Sequence, residues 1–286
     1  MTLVKSNLSC KNCESNLDDQ AAFCNICGAK VITEPFTFKY LKDDFADKFL
    51  DIDNNLLFRT LKDMLLRPEF VIQSYIDGVR RRHLKLANWI ALALTLTGVL
   101  IFIIKRFYPE AIDVSFMLDP SNPMAQNFDA ESFGNFMEYQ GIMYILFIPI
   151  YAFISKLSFY NQKHFSYLKH IVFIGYTQAF LSIILFIPLL IYVMLGYNYI
   201  ASSYIVMGIM FLYSCYCYKR MFKLSFGKLL VRILIFLGIA ILALILYVIV
   251  IVVVMILNGS MQEAMEAEKA RRGIGYMVSS AINWTS

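Results

Sequence analysis

Residues 233–257 read ILIFLGIAILALILYVIVIVVVMIL, twenty-five positions without a charge or a proline. The β-branched content would suit buried strands, but strands usually end after ~5–6 residues, and this run has no break. At ~1.5 Å per residue it exceeds the ~20 residues a helix needs to cross a ~30 Å hydrocarbon layer. One such run makes the chain a membrane protein, and the rest of the sequence is read around it.

Four further stretches meet the same length test. Residues 86–104 hold no charge and are fenced by Lys85 on one side and Lys105-Arg106 on the other. Residues 136–155 are densest after Gly141 and contain Pro149; residues 171–195 contain Pro188, so a tilt or kink is expected there. Residues 200–218 follow the short link Gly196-Tyr197-Asn198-Tyr199 and are expected to run antiparallel to the preceding span. Composition agrees with five spans. The 286 residues are 59% hydrophobic and 16% charged, against ~45–50% and ~25% in soluble domains. That balance excludes an ordinary soluble enzyme, and 15% aromatic content with 13 Gly and 7 Pro excludes disorder and collagen.

Where the charges sit is more informative than the net charge of +5. Residues 1–85 hold 13 Lys/Arg and 12 Asp/Glu, whereas no acidic residue occurs between Glu138 and Glu263. Lys/Arg-rich connections stay in the cytoplasm. Arg80, Arg81, Arg82 and Lys85, then Lys156, Lys163 and Lys169, then Lys219, Arg220, Lys223, Lys228 and Arg232 all fall on one side if there are five spans. The opposite side receives the acidic 105–138 loop. The N-terminus is therefore expected in the cytoplasm and the C-terminus outside. A cleavable signal peptide is not expected, because the first 35 residues hold four cysteines and seven charges in place of an apolar core.

Those four cysteines form the most specific pattern in the chain: Cys10-Lys-Asn-Cys13, ten residues, then Cys24-Asn-Ile-Cys27-Gly28. Two Cys-x-x-Cys knuckles let four thiolates reach a tetrahedral Zn²⁺ at ~2.3 Å, and a glycine after a knuckle permits the tight turn beneath the sulfurs. Leu17 and Phe23 are expected to supply an apolar cap. Disulfides are disfavoured on a cytoplasmic segment, and a thioredoxin-type redox motif needs one such pair on a βαβ scaffold. Four sulfur ligands leave no open position for catalysis, so the zinc is expected to be structural and to supply the folding energy of a module too small to fold on core burial. Lys5, Lys11 and Lys30 stand against Glu14, Asp18, Asp19 and Glu34, with Phe23 the sole aromatic. That is no footprint for nucleic acid, and a protein-docking or purely structural knuckle is favoured.

Between the ribbon and the first span, Phe38, Leu41, Phe45, Phe49 and Ile52 recur at helical spacing, followed by a stripe of Leu57, Leu61, Met64 and Leu65. Pro68 is placed to open a third helix, with Val71, Ile72, Tyr75 and Ile76 on one face, which Gly78 ends. Residues 35–78 carry six Lys/Arg and eight Asp/Glu, unlike a membrane-adsorbing basic helix, so packing against the span ends is favoured over lying in the interface. The cluster Arg80, Arg81, Arg82 and Lys85 is a topogenic stop before the first span, with a clamp for anionic lipid headgroups as its second reading.

With these elements in order the chain resembles a bacterial membrane family catalogued as domain of unknown function 3667. The likeness rests on the cysteine pairs ending in Cys27-Gly28, on Thr60-Leu61 and Leu65-Leu66-Arg67-Pro68-Glu69-Phe70-Val71-Ile72, on Tyr75-Ile76-Asp77-Gly78-Val79-Arg80, and on the spans that follow. It covers roughly residues 10–104. It implies an inner-membrane protein with a cytosolic zinc ribbon and brings no activity. The chain departs from it at Glu14, where such knuckles have Gly.

Catalytic patterns are missing: there is no His-Glu-x-x-His, no phosphate-binding glycine loop and no Gly-x-Ser-x-Gly elbow. The spans hold no ionisable residue away from their ends, which argues against pumps and proton relays. Gln178 is the polar span residue to test, with helix-to-helix bonding as its ordinary role. His83, His164 and His170 fall near the cytoplasmic membrane edge without an evident carboxylate partner, and Cys215 and Cys217 read as packing residues.

The expected protein is all-α and polytopic, with about five transmembrane helices and a small N-terminal zinc ribbon. Its parts are a ribbon (1–34), an amphipathic connector (35–85), a membrane region (86–257) and a C-terminal tail (258–286) in which Ser260 and Glu263 form a possible capping box. The leading function is non-enzymatic: ribbon and connector dock a protein partner, or a second copy, or organise a membrane assembly. The alternative is a transporter or lipid-handling protein, motivated by the two proline-containing spans and the arginine cluster.

Overall fold

The computed structural model describes residues 9–18, 21–29, 31, 37–39, 41, 54–79, 81–112, 137 and 139–259. Arg80, the Phe45-Phe49-Ile52 part of the first connector stripe, the 113–136 loop and the tail from Ser260 lie outside the described residues. The chain divides into two compact units, residues 1–233 and 234–286.

Among the described residues of the connector, two short helices stand in succession. Helix α1 (Asn54–Leu66) buries Thr60, Asp63 and Met64 on one face and leaves Phe58, Leu65 and Leu66 exposed. Pro68 opens α2 (Pro68–Ile76), where a missing N–H costs nothing because the first turn has no partner for it. The far end of α2 closes with Val79 N donating to Ser74 O and Gly78 N to Tyr75 O. This double closure needs a left-handed residue, and Gly78 sits at φ 88°.

Among the described residues, five helices are long and apolar enough to cross a membrane. They are α3 (Leu86–Phe107), α4 (Gln140–Ser158), α5 (Tyr167–Met194), α6 (Tyr199–Met221) and α7 (Phe226–Leu257). Each was expected from its apolar run, but several continue into charged or aromatic flanks that the hydropathy pattern does not mark. The second span begins at Gln140, not near residue 136.

Within residues 1–233, α5 is the hub, packed against α3, α4 and α6, with α2 also lying against it. Its buried Phe173, Tyr176, Ala179 and Phe180 join Trp89, Ile90 and Ala93 of α3 and Ala152 of α4 in one core. Gly175 permits the close approach of α3, because a Cβ there would stand 3.0 Å from Leu86 Cδ1. The outward faces are apolar: Ile142, Ile145 and Phe153 of α4 and Ile205, Phe211 and Leu212 of α6 are exposed. In water such a surface would aggregate, and a bilayer is what covers it. From residue 234 on, α7 is apolar on every side, the pattern of a spanning helix.

Candidate metal centre and its mounting

The two cysteine knuckles fold alike. Glu14 N donates to Cys10 O and Gly28 N to Cys24 O, both at 2.7 Å, while Cys10 N donates to Ser15 O and Cys24 N to Ala29 O. Glu14 and Gly28 both take φ 62°. The first knuckle therefore makes the same left-handed turn without glycine, at the steric cost an L-residue carries there.

These turns bring the four sulfurs together. All lie within 4.8 Å of one another, with Cys10 Sγ 3.7 Å from Cys27 Sγ and Cys13 Sγ 3.6 Å from Cys24 Sγ. A disulfide needs ~2.05 Å, so none is formed. Sulfurs at ~2.3 Å from a tetrahedral ion stand ~3.8 Å apart, and the observed spacing matches. The donor set thus fits a soft metal ion. The electrostatics are uneven. Ser15 Oγ, 3.3 Å from Cys24 Sγ, and the backbone N–H groups of Cys27 and Ile26 bring the Cys24 thiol down to about 6 despite its burial. Hydrogen bonds from Asn12 and the Ala29 backbone lower that of Cys27, while burial pushes Cys10 up to about 11. Leu17 packs under the site as expected, but Phe23 does not: it is 59% exposed. It sits immediately before Cys24, which is buried, and its own side chain faces outward.

The ribbon is fastened to the connector through main-chain carbonyls. Arg81 Nη1 donates to Cys27 O at 3.0 Å, Arg82 Nη2 to Asn12 O at 2.8 Å, and Lys11 Nζ back to Asp77 O at 3.2 Å. Two residues of the arginine cluster thus reach one knuckle each. Arg82 and Arg67 also lie over the Phe70 ring, at 5.2 and 4.8 Å from its centroid. Lys85 stands at the N-cap of α3.

Beneath the arginines is a buried polar set that the sequence reading missed. His83 Nε2 stands 2.9 Å from Asp63 Oδ2, and Arg67 Nε donates to Asp63 Oδ1 at 2.9 Å. Ser74 Oγ lies 3.2 Å from His83 Nδ1 and donates to Val71 O. Burial alone would raise the Asp63 carboxyl, but the hydrogen bonds from His83 and Arg67 hold it below its ordinary value. Burial also pushes the His83 imidazole down against the pull of Asp63, and Arg82 and Arg59 push the same way. His83 is therefore neutral at pH 7, with the proton on Nε2 facing the carboxylate. The expectation that His83 has no evident carboxylate partner is corrected: the partner is twenty residues earlier, on α1, while His83 itself stands in the bend between α2 and α3.

The connector is in turn tied to the spans. Leu84 N donates to Thr60 Oγ1, and Tyr176 Oη to Leu84 O at 2.7 Å. From α6, Tyr213 Oη donates to Met64 O, Tyr216 Oη to Leu66 O, and Arg220 pairs with Glu69 through two N–H groups. His170 is fully buried, with Nδ1 2.8 Å from Ser155 Oγ, while His164 is exposed; the two do not form a metal pair. Phe165 lies T-shaped to the His170 imidazole at 4.8 Å between ring centroids, and Phe222 lies beside it at 6.2 Å.

No curated protein and no solved structure matches the chain. A family model does match: residues 54–85, the segment that carries Thr60, Asp63, Arg67, Ser74 and His83, are similar to the family described as "Protein of unknown function (DUF3667)".

Proposed function

We propose that the chain is a non-enzymatic, multi-pass protein of the bacterial inner membrane, whose zinc-stapled ribbon and connector face the cytoplasm and dock a protein partner or organise a membrane assembly. Four thiolates complete the sphere of a structural Zn²⁺ and leave no position for substrate. What carries the docking reading is the second knuckle: Phe23 is 59% and Ile26 72% exposed, on a loop whose main chain is gripped from behind by Arg81. Two large apolar side chains held out on a rigid mount form the kind of anchor that protein interfaces use.

The test is a photo-crosslinking residue placed at Ile26 in native membranes. The expected product is a discrete protein adduct that disappears when Cys24→Ser unfolds the knuckle. Adducts to lipid alone, or a protein adduct indifferent to Cys24→Ser, would count against the proposal.

A further inference from the structure

Among the spans, α3, α4, α5 and α6 line a cavity of about 520 Å³. Ligand sites in proteins fall at roughly 300–1,000 Å³ and are mostly apolar with a few convergent polar groups. This one has that character. Leu, Met and Phe make up much of its wall, and among the described residues no Asp, Glu, Lys, Arg or His lines it.

Three polar lining groups lie at one depth, while Gln140, Tyr199, Ser202 and Ser203 line the cavity from the first turns of α4 and α6. Gln178 and Ser182 straddle the middle of the 28-residue α5, so they lie near the centre of the bilayer that α5 crosses. Tyr144, fourteen residues before the end of α4, is about 21 Å from that end at ~1.5 Å per residue. Ser182, fifteen residues after the start of the antiparallel α5, is at about 22 Å by the same rise. Among the described residues no group meets full hydrogen-bond geometry with the buried Tyr144 hydroxyl, although the Ser182 hydroxyl is within reach of it. Ser182 donates to Gln178 O, which leaves its own oxygen able to accept. A hydroxyl without a well-made bond is costly in hydrocarbon, so this one, beside a glutamine and a serine, suits a hydrogen-bonding group that enters the cavity.

We infer that the cavity binds one uncharged amphiphile: an apolar body with a small oxygen-bearing head that bonds to Tyr144, Gln178 and Ser182. A charged headgroup would meet no counter-ion on this wall and would bear the full cost of desolvation. This site is independent of the ribbon and of what the ribbon docks.

Two sources share that chemistry, a neutral glyceride of the bilayer and a lipid-soluble redox carrier. The experiment uses the full chain in nanodiscs with long-chain hexadecanol as probe and hexadecanoate, at a pH where it is ionised, as its charged counterpart. Hexadecanol is expected to bind saturably and hexadecanoate not. Tyr144→Phe should weaken hexadecanol by about three- to tenfold, the loss of one hydrogen bond of 0.5–1.5 kcal/mol. Leu185→Trp, which fills the cavity, should abolish binding. Where Leu185→Trp fails to fold, Tyr144→Phe keeps the test decisive, and a melting curve establishes folding. Equal binding of the two probes, or hexadecanol binding unchanged in Tyr144→Phe, would overturn the inference. Extraction of the protein from native membranes should release a stoichiometric neutral molecule, whose mass and redox difference spectrum tell glyceride from carrier. Recovery of charged phospholipid in its place would also overturn the inference.

Discussion

The water-facing front and the spans of this molecule are held by different kinds of contact. In residues 9–85 the fastening bonds reach across the sequence: Lys11 to Asp77, Arg82 to Asn12, Arg81 to Cys27, His83 to Asp63. In the spans most serine and threonine hydroxyls bond one turn back in their own helix, as Thr95 does to Ala91 O, Ser158 to Ile154 O and Thr177 to Phe173 O. The difference follows from solvent. A spanning helix has already satisfied its main chain, so neighbours need only fit in shape. A ribbon of about twenty-five residues has little apolar surface to bury, so its fold rests on a metal-sized sulfur cluster and a few charged donors. Tyr176, Tyr213 and Tyr216 are where the two regimes meet, each donating from a span to a connector carbonyl.

Removing the proposed zinc should break the comparison most visibly. Structural zinc supplies about 10–16 kcal/mol in small ribbons, more than the ribbon can recover from its remaining bonds. Chelation, or Cys10→Ser, is expected to abolish hydrogen-exchange protection across residues 9–31 while α3 to α6 keep theirs. Loss of protection in both regions would mean that front and spans form a single cooperative unit and that the distinction drawn above is wrong.

A smaller but sharper effect is expected at Asp63. Asp63→Ala leaves His83 and the Arg67 guanidinium without their acceptor, with the imidazole still buried. An unsatisfied buried group costs about 1–3 kcal/mol, which should lower the melting temperature of the connector in detergent. Thr95→Val, which removes a hydroxyl bonded only to its own helix, should change melting by far less, since a back-bonded span hydroxyl is worth little. Equal effects would erase the contrast between long-range and local bonding.

The same group gives the front a pH dependence. His83 holds its proton less tightly in the folded protein than in the unfolded chain, so acidification through its ordinary value of 6.5 favours unfolding. Its stabilising contribution is complete above 6.5 and is lost as pH falls from there toward the lower folded value. Asp63, also lowered, adds a further loss only below its ordinary 3.8. Melting of the connector should therefore decline between pH 7 and 5, and His83→Gln should flatten that slope. An unchanged slope in His83→Gln would place the titration elsewhere.

What was legible in the sequence follows the same division. The spans were readable because hydropathy is a sum over neighbours, and the sulfur site because its spacing is local within each knuckle. The Asp63–His83 pair was not, since nothing in a linear pattern joins positions twenty apart on different elements. Nor was the cavity, whose Tyr144, Gln178 and Ser182 converge only after α4 and α5 pack. Phe23 was placed in the ribbon core from composition alone, because pattern reports which residues are apolar and not which way a knuckle turns. Helix ends were missed by several residues where apolar flanks give way to Tyr and Lys, as at Tyr167, Lys169 and Met221.

The finest version of the comparison lies within the ribbon, between two turns of the same shape built from different residues. Glu14 bears a left-handed φ of 62° that costs an L-residue about 1–2 kcal/mol, whereas Gly28 takes the same φ freely. Replacing Glu14 by Gly removes that strain but adds ~0.5–1 kcal/mol of unfolded-chain entropy, so metal retention against a competing chelator should improve by no more than about tenfold. Gly28→Ala imposes the strain and sets a Cβ 3.0 Å from Arg81 Nη1, the group that donates to Cys27 O. Its retention should fall by about fivefold or more. The guanidinium is a movable side-chain end, so the steric part should vanish in Arg81→Ala while the backbone part persists. If Gly28→Ala costs the same with and without Arg81, the guanidinium gives way without loss and the backbone strain is the whole effect; if Arg81→Ala alone leaves retention unchanged, the mount contributes nothing to the metal site.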